Sequence, residues 1–347
     1  MDVTIYDVAE RAGVAASTVS RAFSRPDRVS FKTAEKIRRA AVELGYHQDL
    51  EVRAGTNRKT GILGLIVADI ANPFFLELAR GAGHAAATHK MLVSTVNTNE
   101  SHVRGRSAIT ALAPFVDGLL LASTRVAAAD IQKIARGIPT VVCNRPVQGV
   151  PSVLVDNHDG ALKAMLHLQA HGCRTVTYLA GPEGAWADSM RWRGIIDSVN
   201  APDRDYGRGL QPTRDQTERL AKIQVRQLRM DAPTVTGGRR IFEVWKDNPT
   251  DAVICYNDLT AIGFMQGAKA HGVHVPGDVK VIGFDNTEMT VVSSPTLTTV
   301  AGPLRTVGRV AAANLIALIE GMNVPMSKPR RLPTRLIVRE STGPTGN

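Results

Sequence analysis

Residues 4–46, TIYDVAERAGVAASTVSRAFSRPDRVSFKTAEKIRRAAVELGY, contain the pattern that decides the N-terminal fold. Thr4 stands directly before an apolar repeat, with Asp7 three residues later, which is close to a capping box at a helix start. Gly13 supplies the backbone freedom that a tight turn needs after the repeat. The repeat has the i, i+3, i+4, i+7 spacing of one helix face and consists of Ile5, Val8, Ala9 and Ala12.

Helical spacing resumes after this turn and predicts a second helix over about residues 15–23 and a third over about residues 31–44. Two short helices joined by a tight turn are typical of a helix-turn-helix. Small side chains on the outward face of the second helix would let it lie deep in a DNA major groove. The outward hydroxyls and guanidinium that could contact phosphates and base edges are those of Ser17, Thr18, Ser20 and Arg21.

Basic residues are concentrated in the same stretch, which suits a phosphate backbone. They are opposed only by Asp27 and Glu35. A charge run is more often a solvated helical surface, but its position on a helix-turn-helix favours DNA here. The run consists of Arg21, Arg25, Arg28, Lys32, Lys36, Arg38 and Arg39.

The N-terminal stretch resembles the DNA-binding headpiece of the lactose/galactose repressor (LacI/GalR) family. The residues that carry the resemblance are Thr4-Ile5, Asp7-Val8-Ala9, Ala12-Gly13-Val14, Ser17-Thr18-Val19-Ser20-Arg21, Val29-Ser30 and Leu44-Gly45-Tyr46. The resemblance implies that Ala16, Ser17 and Arg21 read bases, whereas Thr18 and Ser20 contact phosphates or cap the helix. Thr4 and Arg53 complete the predicted DNA-binding set, with Arg53 as a phosphate contact.

The whole chain has 347 residues, a formal net charge of +10, a hydrophobic fraction of 44% and an isoelectric point of about 9.8. This length exceeds one typical domain, and the charge suits a polyanionic partner. Because the start lacks a signal-peptide pattern and no apolar run approaches ~18 residues, we expect a cytoplasmic protein outside the membrane. Cys143, Cys173 and Cys255 are widely spaced and are expected to be buried reduced thiols.

Residues 47–60 form a polar linker that departs from the resembled family. Family members use this linker as a hinge helix that wedges a leucine into the minor groove. Here Gln48 occupies the usual proline position and Gly55 the wedge position. Glycine cannot act as an apolar wedge, so a minor-groove kink is not a secure expectation.

From Gly61 onward, short apolar runs alternate with amphipathic stretches such as residues 74–89 and 160–170. This alternation predicts parallel sheets covered by helices on both faces. The predicted strands are residues 62–68, 91–96, 118–122, 140–143, 152–155, 175–180, 252–256 and 279–284, followed by a Thr-Thr-Val strand at 298–300. Residues 200–238 predict one helix and variable loops without an assigned function.

This second part resembles the two-lobed, periplasmic-binding-protein-like core of the same family. The motifs are Asp69-x-x-Asn72-Pro73-Phe74-Phe75, Asp117-Gly118, Asp156-Asn157, Gly181-Pro182, Arg191-x-x-Gly194, Tyr256-Asn257-Asp258, Val275-Pro276, Gly283-Phe284-Asp285 and Leu297-Thr298-Thr299-Val300. The predicted fold is therefore α plus α/β, a helix-turn-helix headpiece followed by this core. The predicted divisions are headpiece 1–46, linker 47–60, first lobe 61–156 with 302–322, second lobe 157–301 with 323–341, and tail 342–347.

Ligands of such folds bind in the cleft beyond the carboxyl ends of the strands. Polar side chains there can pair with sugar hydroxyls. Together with the resemblance, this reasoning predicts an effector site that contains Asp69, Phe74, Arg191, Asn257 and Asp285. An Asp after a strand can instead be a helix cap, and Asp258 could cap a helix starting at Leu259. Trp186 could stack on a sugar or lie in an exposed loop.

Two cleft positions depart from the family pattern. Gly302-Pro303 stands where many relatives have Gln-Pro, and Asn144-Arg145 stands where many have Asp-Arg. These changes remove one polar group and one negative charge, which allows a less polar, differently shaped or bulkier effector.

Two other patterns are set aside. Gly81-x-Gly83-x-x-Ala86 loosely fits a dinucleotide fingerprint but falls inside a predicted helix. His167 and His171 have the i, i+4 spacing of a metal pair but lack a third ligand, so surface histidines are expected. We therefore predict no metal, no cofactor and no enzyme activity.

The sequence predicts a ligand-responsive, DNA-binding transcriptional regulator. It would bind a palindromic operator as a homodimer, with a small-molecule effector, expected to be a carbohydrate, in the inter-lobe cleft. The alternative is a small-molecule binding protein with the same core and no DNA role. Repression is expected, but activation and the direction of the effector response are left open.

Overall fold

The computed structural model describes residues 3–24, 28–44, 46, 59–200, 212–326 and 328–343. The chain divides into two compact units, Met1–Lys59 and Thr60–Asn347. Gln48, Arg53 and Gly55 lie outside the described residues, so the assignments made for the linker stay predictions.

The first unit contains the three predicted helices, α1 (Ile5–Ala12), α2 (Ala16–Ser24) and α3 (Phe31–Leu44). The capping box is formed, since the Asp7 backbone N–H donates to Thr4 Oγ1 at 3.4 Å and the Thr4 N–H donates to Asp7 Oδ2 at 2.6 Å. Gly13 ends α1 in the left-handed conformation, with φ of 59°. Both predictions about this helix are confirmed.

A small core joins the three helices of the first unit. Val8 of α1, Val19 of α2 and Ile37 of α3 are fully buried and belong to one apolar cluster. Burying such a side chain contributes about 1.5–3 kcal/mol, which is why a unit of this size depends on each of them.

The second unit alternates strands and helices. In chain order they are β1 (Ile62–Val67), α4 (Pro73–Thr88), β2 (Leu92–Asn97), α5 (His102–Leu112), β3 (Gly118–Ala122), α6 (Ala128–Gly137), β4 (Thr140–Cys143), β5 (Ser152–Val155), α7 (Asn157–Ala170), β6 (Thr175–Ala180), α8 (Trp186–Asn200), α9 (Arg214–Leu220), β7 (Gln224–Arg229), α10 (Val235–Trp245), β8 (Ala252–Cys255), α11 (Asp258–Ala270), β9 (Lys280–Phe284), α12 (Met289–Val292), β10 (Thr298–Ala301), α13 (Leu304–Ile319), β11 (Arg330–Leu332) and β12 (Arg335–Ile337).

Within the described ranges these strands form two six-stranded sheets, one in each lobe. The first has the order β11-β5-β4-β3-β1-β2 and the second the order β12-β10-β9-β8-β6-β7. Their strand pairs are parallel except for β10 with β12. The predicted fold class is confirmed, and each predicted strand agrees with an observed one to within one residue at either end.

The C-terminal segment contributes to both sheets. Residues 323–341 were assigned to the second lobe, but β11 pairs with β5 in the first sheet, and only β12 pairs with β10 in the second. These strands are three residues long and mostly polar, so they carry no apolar run that a sequence pattern could detect.

The stretch expected to hold one helix and loops contains more regular structure. Besides α9 and the start of α10, it includes β7, which pairs in parallel with β6. The sequence of β7, QVRQLR, is polar because an edge strand is only partly covered. The expectation was therefore wrong for residues 224–229.

The glycine at position 81 has a packing role in helix α4. A Cβ added at Gly81 would lie 2.0 Å from the carbonyl oxygen of Arg305, and one added at Gly308 would lie 2.0 Å from that of Leu78. Helices α4 and α13 thus approach at backbone distance. The loose dinucleotide pattern is a helix-packing site, in agreement with its rejection above.

The expectation of surface histidines is wrong for His167. Its side chain is buried, with Nε2 2.9 Å from Thr342 Oγ1, and its ring centroid lies 4.3 Å from that of His171. Desolvation, together with the nearby His171, lowers the pKa of His167 to about 4. Thr342 was placed in the tail but is itself buried, so the pair holds the C-terminal segment to α7.

Cys143, Cys173 and Cys255 are buried and unbridged, as predicted. Burial raises the pKa of Cys143 to about 12, which keeps this thiol protonated and unreactive. No group of three or more His, Cys, Asp or Glu side chains suited to a metal ion occurs among the described residues. Within the same ranges, none of the helices combines the length and apolar composition that a bilayer span requires.

Candidate functional site

Helix α2 presents a narrow polar face to solvent in the first unit. Ser17, Ser20 and Arg21 are exposed, and Ala16 and Thr18 are partly exposed. The opposite face is fixed in the core by Val19 and Ala22. Because four of the five outward residues are small, the helix backbone can approach a groove closely, and Arg21 is the long donor side chain on this face.

Basic side chains flank this face. The described members of the basic run are all exposed, which makes the surface strongly electropositive: Arg21, Arg28, Lys32, Lys36, Arg38 and Arg39. Such a surface binds phosphates without regard to sequence, while base-edge contacts supply preference.

Thr4 has a local structural role. Its hydroxyl donates to Asp7 Oδ2 at 2.7 Å within the capping box. These hydrogen bonds show that Thr4 caps the start of α1. The DNA contact predicted for Thr4 stays a prediction.

In the second unit a cavity lies between the two lobes. It encloses about 230 Å³ of empty space, part of it open to solvent. Its walls come from both sheets and consist of Phe74, Asn144, Val155, Asn157, Arg191, Phe284, Asp285, Val300, Gly302, Leu304 and Thr334.

All three connections between the lobes contribute to this wall. Val155 ends β5 and Asn157 starts α7, Gly302 follows β10, and Thr334 lies between β11 and β12. A molecule in the cavity would therefore touch each segment through which one lobe could move relative to the other.

Arg191 organises the second-lobe side of the cavity. Its Nε donates to Asn157 Oδ1 at 2.8 Å, its Nη1 donates to the Tyr256 carbonyl, and its Nη2 donates to Asp285 Oδ1 at 3.3 Å. The guanidinium carbon also lies 4.2 Å from the centre of the Phe284 ring. These contacts hold a buried cation in a fixed position beside a buried carboxylate.

A second buried carboxylate lies behind Asp285. Asp258 Oδ1 accepts from Thr299 Oγ1 at 2.6 Å and Oδ2 accepts from the Thr287 backbone N–H at 2.7 Å. Burial, followed by repulsion from Asp285, raises the pKa of Asp258 to about 8. Asp258 braces the loop after β9 and does not line the cavity.

Asn257, and not Asp258, caps helix α11. Its Oδ1 accepts from the Thr260 backbone N–H at 2.9 Å, and its Nδ2 donates to the Pro233 carbonyl at 2.9 Å. The amide is thus occupied within the second lobe and does not line the cavity. The helix-capping role that was considered for Asp258 is therefore performed by Asn257.

Of the five residues predicted for the effector site, the structure brings Phe74, Arg191 and Asp285 together around the cavity. Asp69 is partly exposed and accepts from the Ala71 backbone N–H at 3.0 Å, which closes a turn away from the cavity wall. Trp186 is the first residue of α8, so it lies neither in an exposed loop nor on the cavity wall.

Several wall residues were not predicted as site residues. The apolar ones are strand-end or helix-start residues that a sequence pattern assigns to a core, and they are Val155, Phe284, Val300 and Leu304. Asn157 could have been found, since it directly follows a strand and belongs to the Asp156-Asn157 motif.

Comparison with known proteins agrees with both parts of this description. Residues 4–49 match the family model described as bacterial regulatory proteins, lacI family, and residues 165–342 match a periplasmic binding protein-like domain. The ribose operon repressor of Halalkalibacterium halodurans is 32% identical over 345 residues, covering 98% of this chain and 97% of the relative. The chain belongs to the LacI family.

Two further relatives extend the comparison over the full length. The HTH-type transcriptional repressor CytR of Escherichia coli K12 is 32% identical, covering 98% of this chain and 96% of the relative. The solved CelR–cellobiose complex has a TM-score of 0.65 and 28% identity, covering 98% of this chain and 99% of that one. This LacI-family chain is thus a DNA-binding transcriptional regulator with a headpiece and a ligand-binding core.

Proposed function

We propose that this LacI-family regulator represses transcription by binding palindromic operator DNA as a homodimer in the cytoplasm. A small-molecule effector of the carbohydrate class binds between the lobes and changes operator affinity. The observation that carries the proposal is that all three inter-lobe connections line the same cavity. The proposal includes no catalytic step and no cofactor, and it replaces the alternative of a binding protein without a DNA role because the headpiece is present.

The DNA part of the proposal is supported by the surface of α2. An exposed arginine on a groove-sized helix, flanked by exposed basic residues, supplies both base contact and phosphate attraction. In a dimer, two such helices would read half-sites separated by ~34–36 Å, about one turn of DNA.

The effector part follows from linkage. A ligand that binds one arrangement of the lobes more tightly shifts the population towards it. If operator DNA also favours one arrangement, ligand and DNA must change each other's affinity by the same factor.

The test is a binding selection of the full-length protein against randomised duplex DNA, followed by affinity measurements with a panel of sugars. We expect a palindrome to be enriched and at least one sugar to change its affinity at least fivefold. If the enriched DNA sequence lacked two-fold symmetry, this result would contradict binding by a homodimer. If no sugar changed the affinity of the protein for the palindrome, this result would contradict a carbohydrate effector.

Self-association is supported by the outer edge of the first sheet. Strand β2 is an edge strand, and Leu92 at its start is 71% exposed. Ile70, Leu76 and Val103 on the adjoining segments are also exposed apolar residues. An unpaired strand edge with apolar neighbours is typical of an interaction surface.

Leu92→Arg is therefore expected to weaken the homodimer, because a charge placed within an apolar contact must be desolvated. Sedimentation velocity should show a monomer fraction at concentrations where the parent protein is dimeric. Val244→Arg is the matched control, since this residue is exposed on α10 in the other lobe. A dimer unaffected by Leu92→Arg would place the interface elsewhere.

A further inference from the structure

The wall of the inter-lobe cavity contains a buried hydrogen-bond acceptor without a partner. Asn144 follows β4, is only 6% exposed, and donates from Nδ2 to Ser123 Oγ at 3.1 Å. Its Oδ1 accepts no hydrogen bond, and in the described part of the chain only Thr287 Oγ1 is a comparable buried side-chain atom. Leaving a buried acceptor unpaired costs about 1–3 kcal/mol, so a ligand that donates to Asn144 recovers that energy.

The charged groups of the wall are already paired. Arg191 and Asp285 form an ion pair, and Asn157 accepts from Arg191 Nε. The wall therefore carries no uncompensated charge, which favours a neutral ligand, since an added anion or cation would enter without a counter-charge.

Much of the remaining surface is apolar. Carbon-rich side chains from both lobes surround the space: Phe74, Val155, Phe284, Val300 and Leu304. Gly302 adds no side-chain polar group to this wall. A ligand with hydroxyls on every side would bury several of them against hydrocarbon, which costs free energy for each unpaired group.

We propose that the effector is a neutral sugar with one apolar edge, such as a 6-deoxy sugar, and that one of its hydroxyls donates to Asn144 Oδ1. Asn144 then determines specificity by accepting this donor without adding charge. The inference rests on the proposed effector cleft and names the ligand class for it.

The experiment is isothermal titration calorimetry of the full-length protein with five probes. L-rhamnose and L-fucose represent the proposed class, D-glucose and D-ribose are neutral sugars without the methyl group, and D-glucuronate tests charge. We expect a 6-deoxyhexose to bind at least tenfold more tightly than glucose or ribose, with no measurable binding of glucuronate.

One substitution tests the role of Asn144. Asn144→Ala removes the acceptor and should weaken binding of the preferred sugar by about tenfold or more. Asn99→Ala is the matched control, because Asn99 has the same left-handed backbone as Asn144, with φ of 50° against 63°, but does not line the cavity.

Each outcome has a definite meaning. Unchanged affinity in Asn144→Ala, preference for glucuronate, or no binding of any probe would each overturn this inference. The DNA selection is read separately. If a sugar changes the affinity for a palindrome but Asn144→Ala binds that sugar as tightly as the parent protein, only this inference is rejected. If no palindrome is enriched, the proposed function itself is rejected.

Discussion

Arg21→Ala is expected to lower the affinity for the selected operator by about ten- to a hundredfold while leaving weak, sequence-independent DNA binding in place. Arg21 is exposed on α2, where its neighbours Ala16 and Ser17 can make only short contacts. A bidentate arginine–base contact contributes about 1–3 kcal/mol of discrimination, which corresponds to this range. The flanking basic side chains would still attract phosphates.

Fluorescence anisotropy with the selected operator and a scrambled duplex, at fixed salt, measures both effects. Arg214→Ala serves as the control because its side chain, on α9 of the core, is 93% exposed and should not affect DNA binding. Sugar affinity should be equal in all three proteins. An Arg21→Ala protein that still prefers the operator as strongly as the parent would show that the assigned face of α2 is not the reading face.

Arg191→Leu is expected to destabilise the core by about 3–5 kcal/mol and to abolish the sugar response, because it leaves the buried Asp285 carboxylate without its cation. Asn157 and the Tyr256 carbonyl lose their donor in the same step. Chemical denaturation followed by circular dichroism measures the loss. Arg193→Leu, on the same helix with a side chain 62% exposed, should cost less than about 1 kcal/mol.

The pH dependence of this deficit tests its cause. Burial raises the pKa of Asp285, and Arg191 opposes that rise. Without Arg191 the folded-state pKa rises further above the unfolded value, so the lost stability should be smallest at low pH and should grow as pH rises through the folded pKa. The double variant Arg191→Leu/Asp285→Leu should be more stable than Arg191→Leu at pH 8. The unpaired carboxylate would be excluded as the cause if the loss of unfolding free energy did not depend on pH. It would also be excluded if the effects of the two substitutions on unfolding free energy were additive in the double variant.

Local signals were sufficient to predict the headpiece. The capping box at Thr4, the left-handed Gly13 and the apolar spacing of α1 are all determined by residues within a few positions of one another. The buried parallel strands were also predictable, because a strand covered on both faces has to be apolar along its length. Strand β7 was missed because its outer edge is unpaired and polar side chains are tolerated there.

The candidate site was predictable only in part, for a different reason. Phe74, Arg191 and Asp285 lie on the cavity wall, but Asp69 and Asn257 satisfy nearby backbone groups. From the sequence alone, a polar residue that caps a helix after a strand cannot be distinguished from one that faces a cleft. The distinction depends on which side of the strand end the side chain leaves. For the cavity residues this is set by contacts between segments far apart in sequence, such as that of Arg191 with Asp285.

Strands β11 and β12 have a consequence for the order in which this protein becomes functional during synthesis. The headpiece is encoded first, whereas each sheet receives an outer strand only from residues 330–337. A ribosome that stops shortly before residue 330 would release the headpiece attached to two lobes, each of whose sheets lacks an outer strand, and to a cavity wall that lacks Thr334. Under the proposed function, such a fragment would keep its DNA-binding helix but lack a complete effector site. We therefore expect that completion of the last strands places DNA binding under the control of the effector.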